Sequence, residues 1–211
     1  MVLYVYMFQL SVGDLAGVSK ATTCRVVKCV TREIALLARD KAAFPTSVEA
    51  RALAMHQLYE VAHFPAVLGA IDCTHVPIQS PGGENAELYR NRKGFFSLNV
   101  QCVCNAKLAF INVVSRWYGS AHDSTIFLNT RLHARFESKE IPSGYLLGDA
   151  GYACKPYLLT PLAAPTTLAG ERYNSSQIRT RNTVERAFGV LKRRFPCLKM
   201  GLRVKVCIYF N

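Results

Sequence analysis

Acidic residues are scarce in this chain: 14 Asp and Glu stand against 26 Lys and Arg among 211 residues, a formal net charge of +12. Such an excess fits a polyanionic partner, either nucleic acid or an anionic membrane surface. Long apolar runs are missing too. No stretch reaches the roughly 18 residues needed to span a bilayer, so the membrane reading weakens. Residues 1–8 are apolar but have no basic flank before them and no small-residue cleavage site after them, which makes a poor signal peptide. They read as the buried end of an element. Eight cysteines occur, yet none forms a Cys-x-x-Cys pair and no His pair follows at ligand spacing, which argues against zinc. Buried, reduced thiols in a nuclear or cytosolic chain are the expectation. Cys102 and Cys104, two apart in an apparent strand, should face one side as small core residues. Half the chain is apolar, which permits a sizeable core and excludes wholesale disorder.

Residues 11–63 read as helical. Over 11–19 a short helix, a turn at Gly17 and a capping Ser19 lead into a longer helix from Lys20 to about residue 38. Short helix, glycine turn and longer helix form the pattern of a helix-turn-helix. Its second helix would present Lys20, Thr22, Thr23, Arg25 and Lys28 to phosphates and base edges. The alternative is an ordinary helical hairpin with a solvated basic face. Another helix is expected over 47–61, then a short apolar strand over 66–71 that closes at Asp72. Residues 77–96 read as loop, with a basic run at 90–94. Segments 98–104 and 108–114 should pair as an antiparallel hairpin. Asp123 can cap a helix carrying Phe127, Leu128, Leu132 and Phe136, and a strand over 145–148 ends at Asp149. Residues 160–173 look irregular. Ser175 or Ser176 then caps a long helix to about residue 195, with Val184, Phe188, Leu191 and Phe195 on one face. The mixture predicts an α/β fold.

With so few acids, their positions are informative. Asp72 and Asp149 each close an apolar strand, where ligands gather at the open edge of an α/β sheet. Glu185 lies mid-helix, one step from the apolar stripe, and can join them if that helix packs across the sheet. Three carboxylates beside basic groups suit hard divalent cations such as Mg²⁺. Two ions about 4 Å apart can activate a water and stabilise the leaving oxygen of a phosphodiester. Each acid also has an ordinary alternative. Asp72 can cap the turn at Cys73, Asp149 can make an Asx-turn before Gly151, and Glu185 can pair with Arg181 four residues back.

Five blocks occur in order: Gly69-Ala70-Ile71-Asp72-Cys73-Thr74-His75-Val76, the 91–101 segment beginning Asn91-Arg92-Lys93-Gly94, Gly119-Ser120-Ala121-His122-Asp123-Ser124, Leu147-Gly148-Asp149-Ala150-Gly151-Tyr152, and Asn182-Thr183-Val184-Glu185-Arg186-Ala187-Phe188-Gly189. Together, over roughly residues 10–203, they resemble the DDE transposases of the PIF/Harbinger superfamily, including the Harbinger-derived nucleases domesticated by host genomes. The resemblance implies an RNase H-like mixed sheet flanked by helices, with a small N-terminal helix-turn-helix-like module. It divides the chain into a helical region over 1–63, a nuclease domain over 64–203 and a divergent tail over 204–211. It implies Asp72, Asp149 and Glu185 as the catalytic acids that bind Mg²⁺ or Mn²⁺ and cut DNA. The 35 residues between Asp149 and Glu185 are similar to the family's spacing.

Asp123 is implied as a cap or a group that steadies the site rather than a metal ligand. His75 and His122 would orient ligands or contact phosphate, or else be satisfied structural histidines, and Arg92, Lys93, Arg186, Lys192, Arg193 and Arg194 would track the DNA backbone. The family works with a separate Myb-like DNA-binding protein, which implies that partner, entry to the nucleus through it, and the cytoplasm as a second compartment. Oligomeric state is left open. Cys73 stands where the family often has Gly, and Tyr118 where it often has Pro. Residues 204–211 do not look like the family's further helical segment, so the chain reads as a core trimmed at both ends. The rival reading is a domesticated or decayed DNA-binding protein without chemistry. A third, an RNA-processing enzyme with the same site, lacks the helix-turn-helix and the ordered blocks.

Overall fold

The computed structural model describes residues 17–202. Residues 1–16, and with them the first helix of the expected helix-turn-helix and the apolar opening, lie outside the described residues. So do residues 203–211 and the side chain of Lys20. The elements in order are α1 (Lys20–Lys41), α2 (Val48–Ala62), β1 (Val67–Pro77), a 3₁₀ turn (Ala86–Tyr89), β2 (Ser97–Cys104), β3 (Phe110–Tyr118), α3 (Asp123–Leu128), α4 (Arg131–Glu137), β4 (Tyr145–Leu147), β5 (Leu158–Leu159), α5 (Leu168–Arg194) and α6 (Cys197–Met200). The five strands form one mixed sheet in the order β3-β2-β1-β4-β5. β1, β2 and β3 are antiparallel neighbours, whereas β4 and β5 run parallel to β1 on its other side. This is the α/β, RNase H-like arrangement expected, a sheet with helices on both faces.

Each face has its own apolar layer. Leu68, Ile71, Val103 and Leu146 pack with Phe127, Leu132 and Phe136 of α3 and α4. Ala70, Cys102 and Cys104 pack with Val184, Ala187 and Phe188 of α5. Cys102 and Cys104 are buried on one side as expected, and burial pushes both thiols up to about 12. No disulfide joins any of the described cysteines. Leu68 and Ile71 share a face although they are three apart, because a bulge lies between Val67 and Gly69. Gly69 fits there because a Cβ would sit 2.5 Å from the Val103 side chain. Leu58 of α2 joins Val67 and Leu147, so this helix lies against the sheet.

Several elements differ from expectation for local reasons. β1 does not stop at Asp72 but runs on to Pro77, because β2 continues to pair with it from Ala70 to Pro77. The helix expected from Asp123 to Phe136 is two helices, divided where Thr130 caps α4 by accepting from the His133 N–H at 3.1 Å. Asp123 is the first residue of α3, and His122 occupies the cap position. α5 starts at Leu168, capped by Thr167 through the Gly170 N–H, so residues 168–173 are helical rather than irregular. Ser176 lies inside it and donates to the carbonyl of Ala62 at the end of α2. On α1, Ser19 accepts from the Thr22 N–H and acts as the cap expected. Thr23 is buried and its hydroxyl donates to the Ser19 carbonyl, so, contrary to expectation, it is not available to DNA. Arg25 and Lys28 are exposed.

Gly119 follows β3 and begins the loop that delivers His122 and Asp123. A Cβ there would lie 2.5 Å from the Tyr89 carbonyl and 2.9 Å from that of Ser97, both backbone atoms. Gly119→Ala should cost about 1–3 kcal/mol of stability, measured by urea unfolding. An unchanged midpoint would show that the loop yields freely.

Candidate metal centre

The register of the sheet brings the strand acids together. Ala70 of β1 pairs with Leu147 of β4 in parallel. Two residues further along each chain stand Asp72 and Asp149. β4 ends at Leu147, so β1 runs on past it, and among the described residues only Leu202, near Pro77, pairs with that edge. Asp72 comes from the α5 side of the sheet, since its cross-strand partner Cys102 lies in that layer. From the other side comes Asp123, at the first turn of α3. Carboxylate oxygens of Asp72, Asp123 and Asp149, one from each, lie within 4.8 Å of one another.

Each of these carboxylates has its Oδ1 held by a protein donor. The Cys73 N–H donates to Asp72 Oδ1 at 2.7 Å, and the Gly151 N–H to Asp149 Oδ1 at 3.0 Å. These are the capping and Asx-turn contacts that each acid could make for ordinary reasons, and both coexist with convergence. Asn99 Nδ2 donates to Asp123 Oδ1 at 3.0 Å and to the Ala121 carbonyl at 2.9 Å. Gln101 Nε2 donates to the Asp123 carbonyl at 3.3 Å and to the Tyr152 hydroxyl at 3.2 Å. Asn99 and Gln101 are almost wholly buried. Their only visible sequence signal is a pair of amides alternating along an otherwise apolar strand.

Glu185 stands apart from this cluster. It projects from α5 with 52% of its side chain exposed, and its Oε1 accepts from Arg181 Nη2 at 2.7 Å. Arg181 Nη1 lies 3.4 Å from Asp72 Oδ2, so the guanidinium stands between the two acids. Asp123, expected only to steady the site, is instead inside the cluster.

A cleft of about 240 Å³ opens beside the acids, lined by Asp123, Asp149, His75, Arg92, Lys93 and His122 among others. The Arg92 guanidinium meets the His122 ring. His75 Nδ1 is 3.0 Å from Ser97 Oγ, and Lys192 Nζ donates to the His75 carbonyl at 3.0 Å. Burial, and then Lys192, Lys93 and Arg92, hold His75 below its ordinary pKa despite Asp123. Of the other expected DNA contacts, Arg186, Arg193 and Arg194 are exposed along α5.

Residues 71–209 match the family model described as DDE superfamily endonuclease. The chain belongs to this family. It is 35% identical over 191 residues to the Homo sapiens protein named "Putative nuclease HARBI1", covering 90% of this chain and 54% of that relative. The Mus musculus protein of the same name is 36% identical with the same coverage. "Protein ALP1-like" of Arabidopsis thaliana is 22% identical over 199 residues, 87% of this chain and 48% of the relative. The chain spans about half the length of the curated relatives it matches. No solved structure matches. Asp72, Asp123, Asp149 and Glu185 all fall within the DDE match.

Burial raises the Asp72 carboxyl to about 6 from an ordinary 3.8, helped by the charges of Asp149 and Asp123 and opposed by the Cys73 N–H and Arg181. An acid raised on folding binds its proton more tightly in the folded chain. Its contribution to stability therefore falls as pH rises through that window, and above it the cost is complete. Asp72→Asn removes the charge. At about pH 7.5 the metal-free variant should be more stable than wild type by roughly 1–3 kcal/mol, and the two should converge near pH 4 in denaturant titrations. A difference that is the same at both pH values would show that the charge is not its cause.

Proposed function

We propose that this DDE-family chain is a transposase-derived, divalent-metal-dependent DNA endonuclease. The observation that carries the reading is the convergence of Asp72, Asp123 and Asp149 beside a cleft lined by Asp123 and Asp149 together with Arg92, Lys93 and His122. Three carboxylates without a thiolate or imidazole among them form a hard-oxygen donor set, which suits Mg²⁺ or Mn²⁺. In this reading Asp72, Asp123 and Asp149 hold the metal and Glu185 supplies a further ligand. When bound, such ions supply an activated water or DNA 3′-hydroxyl and stabilise the leaving oxygen of the phosphodiester.

The chain's own groups do the rest. Cys73, Asn99 and Gly151 each fix one carboxylate oxygen, and Arg181 holds the second oxygen of Asp72. Arg92, Lys93 and Lys192 take the charge of the scissile and neighbouring phosphates. Arg186, Arg193 and Arg194 carry the contact along the duplex, while Arg25 and Lys28 of α1 bind from the helix-turn-helix. The same reading places the chain in the nucleus, beside a Myb-like DNA-binding partner.

Asp72→Ala and Asp149→Ala should each lower Mn²⁺-dependent cleavage of duplex DNA on the order of a hundredfold or more, while DNA affinity stays within about twofold. Equal cleavage by wild type and Asp72→Ala in a clean preparation would falsify the assignment. DNA binding without cleavage by any of the three proteins would favour the non-catalytic DNA-binding alternative. Replacing Arg25 and Lys28 by Ala should lower affinity for all sequences alike. It should also reduce the slope of log affinity against log salt by about 0.9 for each phosphate no longer neutralised. An unchanged slope would remove α1 from the interface.

A further inference from the structure

A cation already stands at the acid cluster, and it is part of the chain. Arg181 reaches Asp72 Oδ2 with Nη1 at 3.4 Å and Glu185 Oε1 with Nη2 at 2.7 Å. Its side chain is only 13% exposed and most of Asp72 is buried too, so the Asp72 contact is made largely out of water, whereas Glu185 reaches the guanidinium from a half-exposed position. One carboxylate belongs to the central strand and the other to α5, the helix that carries Arg181 itself.

The guanidinium is held but not fully satisfied. The contact to Asp72 is at the long end for a charge-assisted bond, which normally lies near 2.7–2.9 Å. Its Nε is buried and meets no acceptor among the described residues. A buried charge with an unused donor carries a desolvation cost that its partners do not fully offset. Such a group is easier to displace than a fully bonded one. Both of its partners are carboxylates that a divalent cation would also attract. Glu185 Oε1 meanwhile is committed to Arg181 and lies outside the cluster formed by Asp72, Asp123 and Asp149.

We infer that Arg181 is a positioning residue that fills the gap between Asp72 and Glu185 in the metal-free chain and keeps Glu185 off the acid cluster until a divalent cation displaces it. The inference rests on the metal-dependent reading above. It has two consequences. A divalent cation drawn to Asp72 and Glu185 competes with Arg181 for both carboxylates, so affinity is held below what the four acids alone would give. The metal-free fold, in return, is partly relieved of the repulsion among its acids.

The test is Mn²⁺ affinity by calorimetry for the wild-type chain, Arg181→Gln and Arg181→Lys, with thermal melts in the presence and absence of Mn²⁺. Arg181→Gln should bind Mn²⁺ on the order of tenfold more tightly. It should melt below wild type without metal and gain more from Mn²⁺. Arg181→Lys keeps the charge but cannot span both carboxylates with one fork, so its affinity should rise less, by a few-fold. A residue with only a structural role would not tighten metal binding when removed. If wild type binds Mn²⁺ and folded Arg181→Gln binds it equally or more weakly, the inference is overturned while the metal reading stands. If Arg181→Gln does not fold without metal, Arg181→Lys decides, and an affinity no better than wild type overturns it. Binding by none of the three at millimolar Mn²⁺ overturns the inference and the metal reading together.

Discussion

Three carboxylates within 4.8 Å of one another repel, and the structure around them is the means by which they are kept there. Neither strand nor helix propensity favours such a meeting. It is imposed by the pairing of β1 with β4, which sets Asp72 beside Asp149, and by the β3–α3 loop, which carries in Asp123 from the opposite face. The apolar layers on both sides of the sheet supply the stability that this repulsion subtracts. Asp72 carries the strain most visibly, since its proton is held well into the range where an ordinary carboxyl would be ionised. A fold that tolerates such a cost at one edge of its central strand has a site that gains by receiving positive charge.

That edge is also where basic groups meet. Eight Lys and Arg lie in residues 171–202 against two Glu, so much of the excess positive charge among the described residues lies on or just beyond α5. Arg92 and Lys93 approach from the loop before β2, and Lys192 from the last turns of α5. Negative charge is concentrated at one point and positive charge is spread around it. A polyanion is attracted to the rim, while the acids at the centre repel it unless their charge is met by cations. In the proposed function, binding and chemistry are thereby separable properties of one surface.

Much of the architecture was legible in the sequence. The order of helices and strands, the antiparallel hairpin, the shared face of Cys102 and Cys104, Asp72 within β1 and Asp149 just past the end of β4 follow from apolar periodicity and the few acids available. The misses have physical causes. β1 appeared to end at Asp72 because the apolar run ends there, but a strand persists as long as its neighbour pairs, and β2 pairs to Pro77. The start of α5 was hidden by Gly170 and Pro165, which are loop formers except where a Thr cap absorbs them. The placement of Asp123 depends on the buried amides of Asn99 and Gln101, partners more than twenty residues away in sequence. Arg181 was readable as the neighbour of Glu185 one turn away, yet its reach to Asp72 crosses 109 positions and is invisible to any local pattern.

The bulge near the start of β1 has a consequence for the whole site. In a regular strand, side chains alternate strictly, so Leu68, Ala70 and Asp72 would share one face. Leu68 lies in the layer packed by Phe127 and Phe136, and Asp72 would then point into oil. The additional residue at Val67–Gly69 reverses the parity, so that Ile71 enters that layer and Asp72 turns toward Arg181. One irregular peptide a few residues upstream thus decides whether a charge meets hydrocarbon or a counter-charge. A deletion there would leave every acid in place in the sequence and invert the chemistry of the strand.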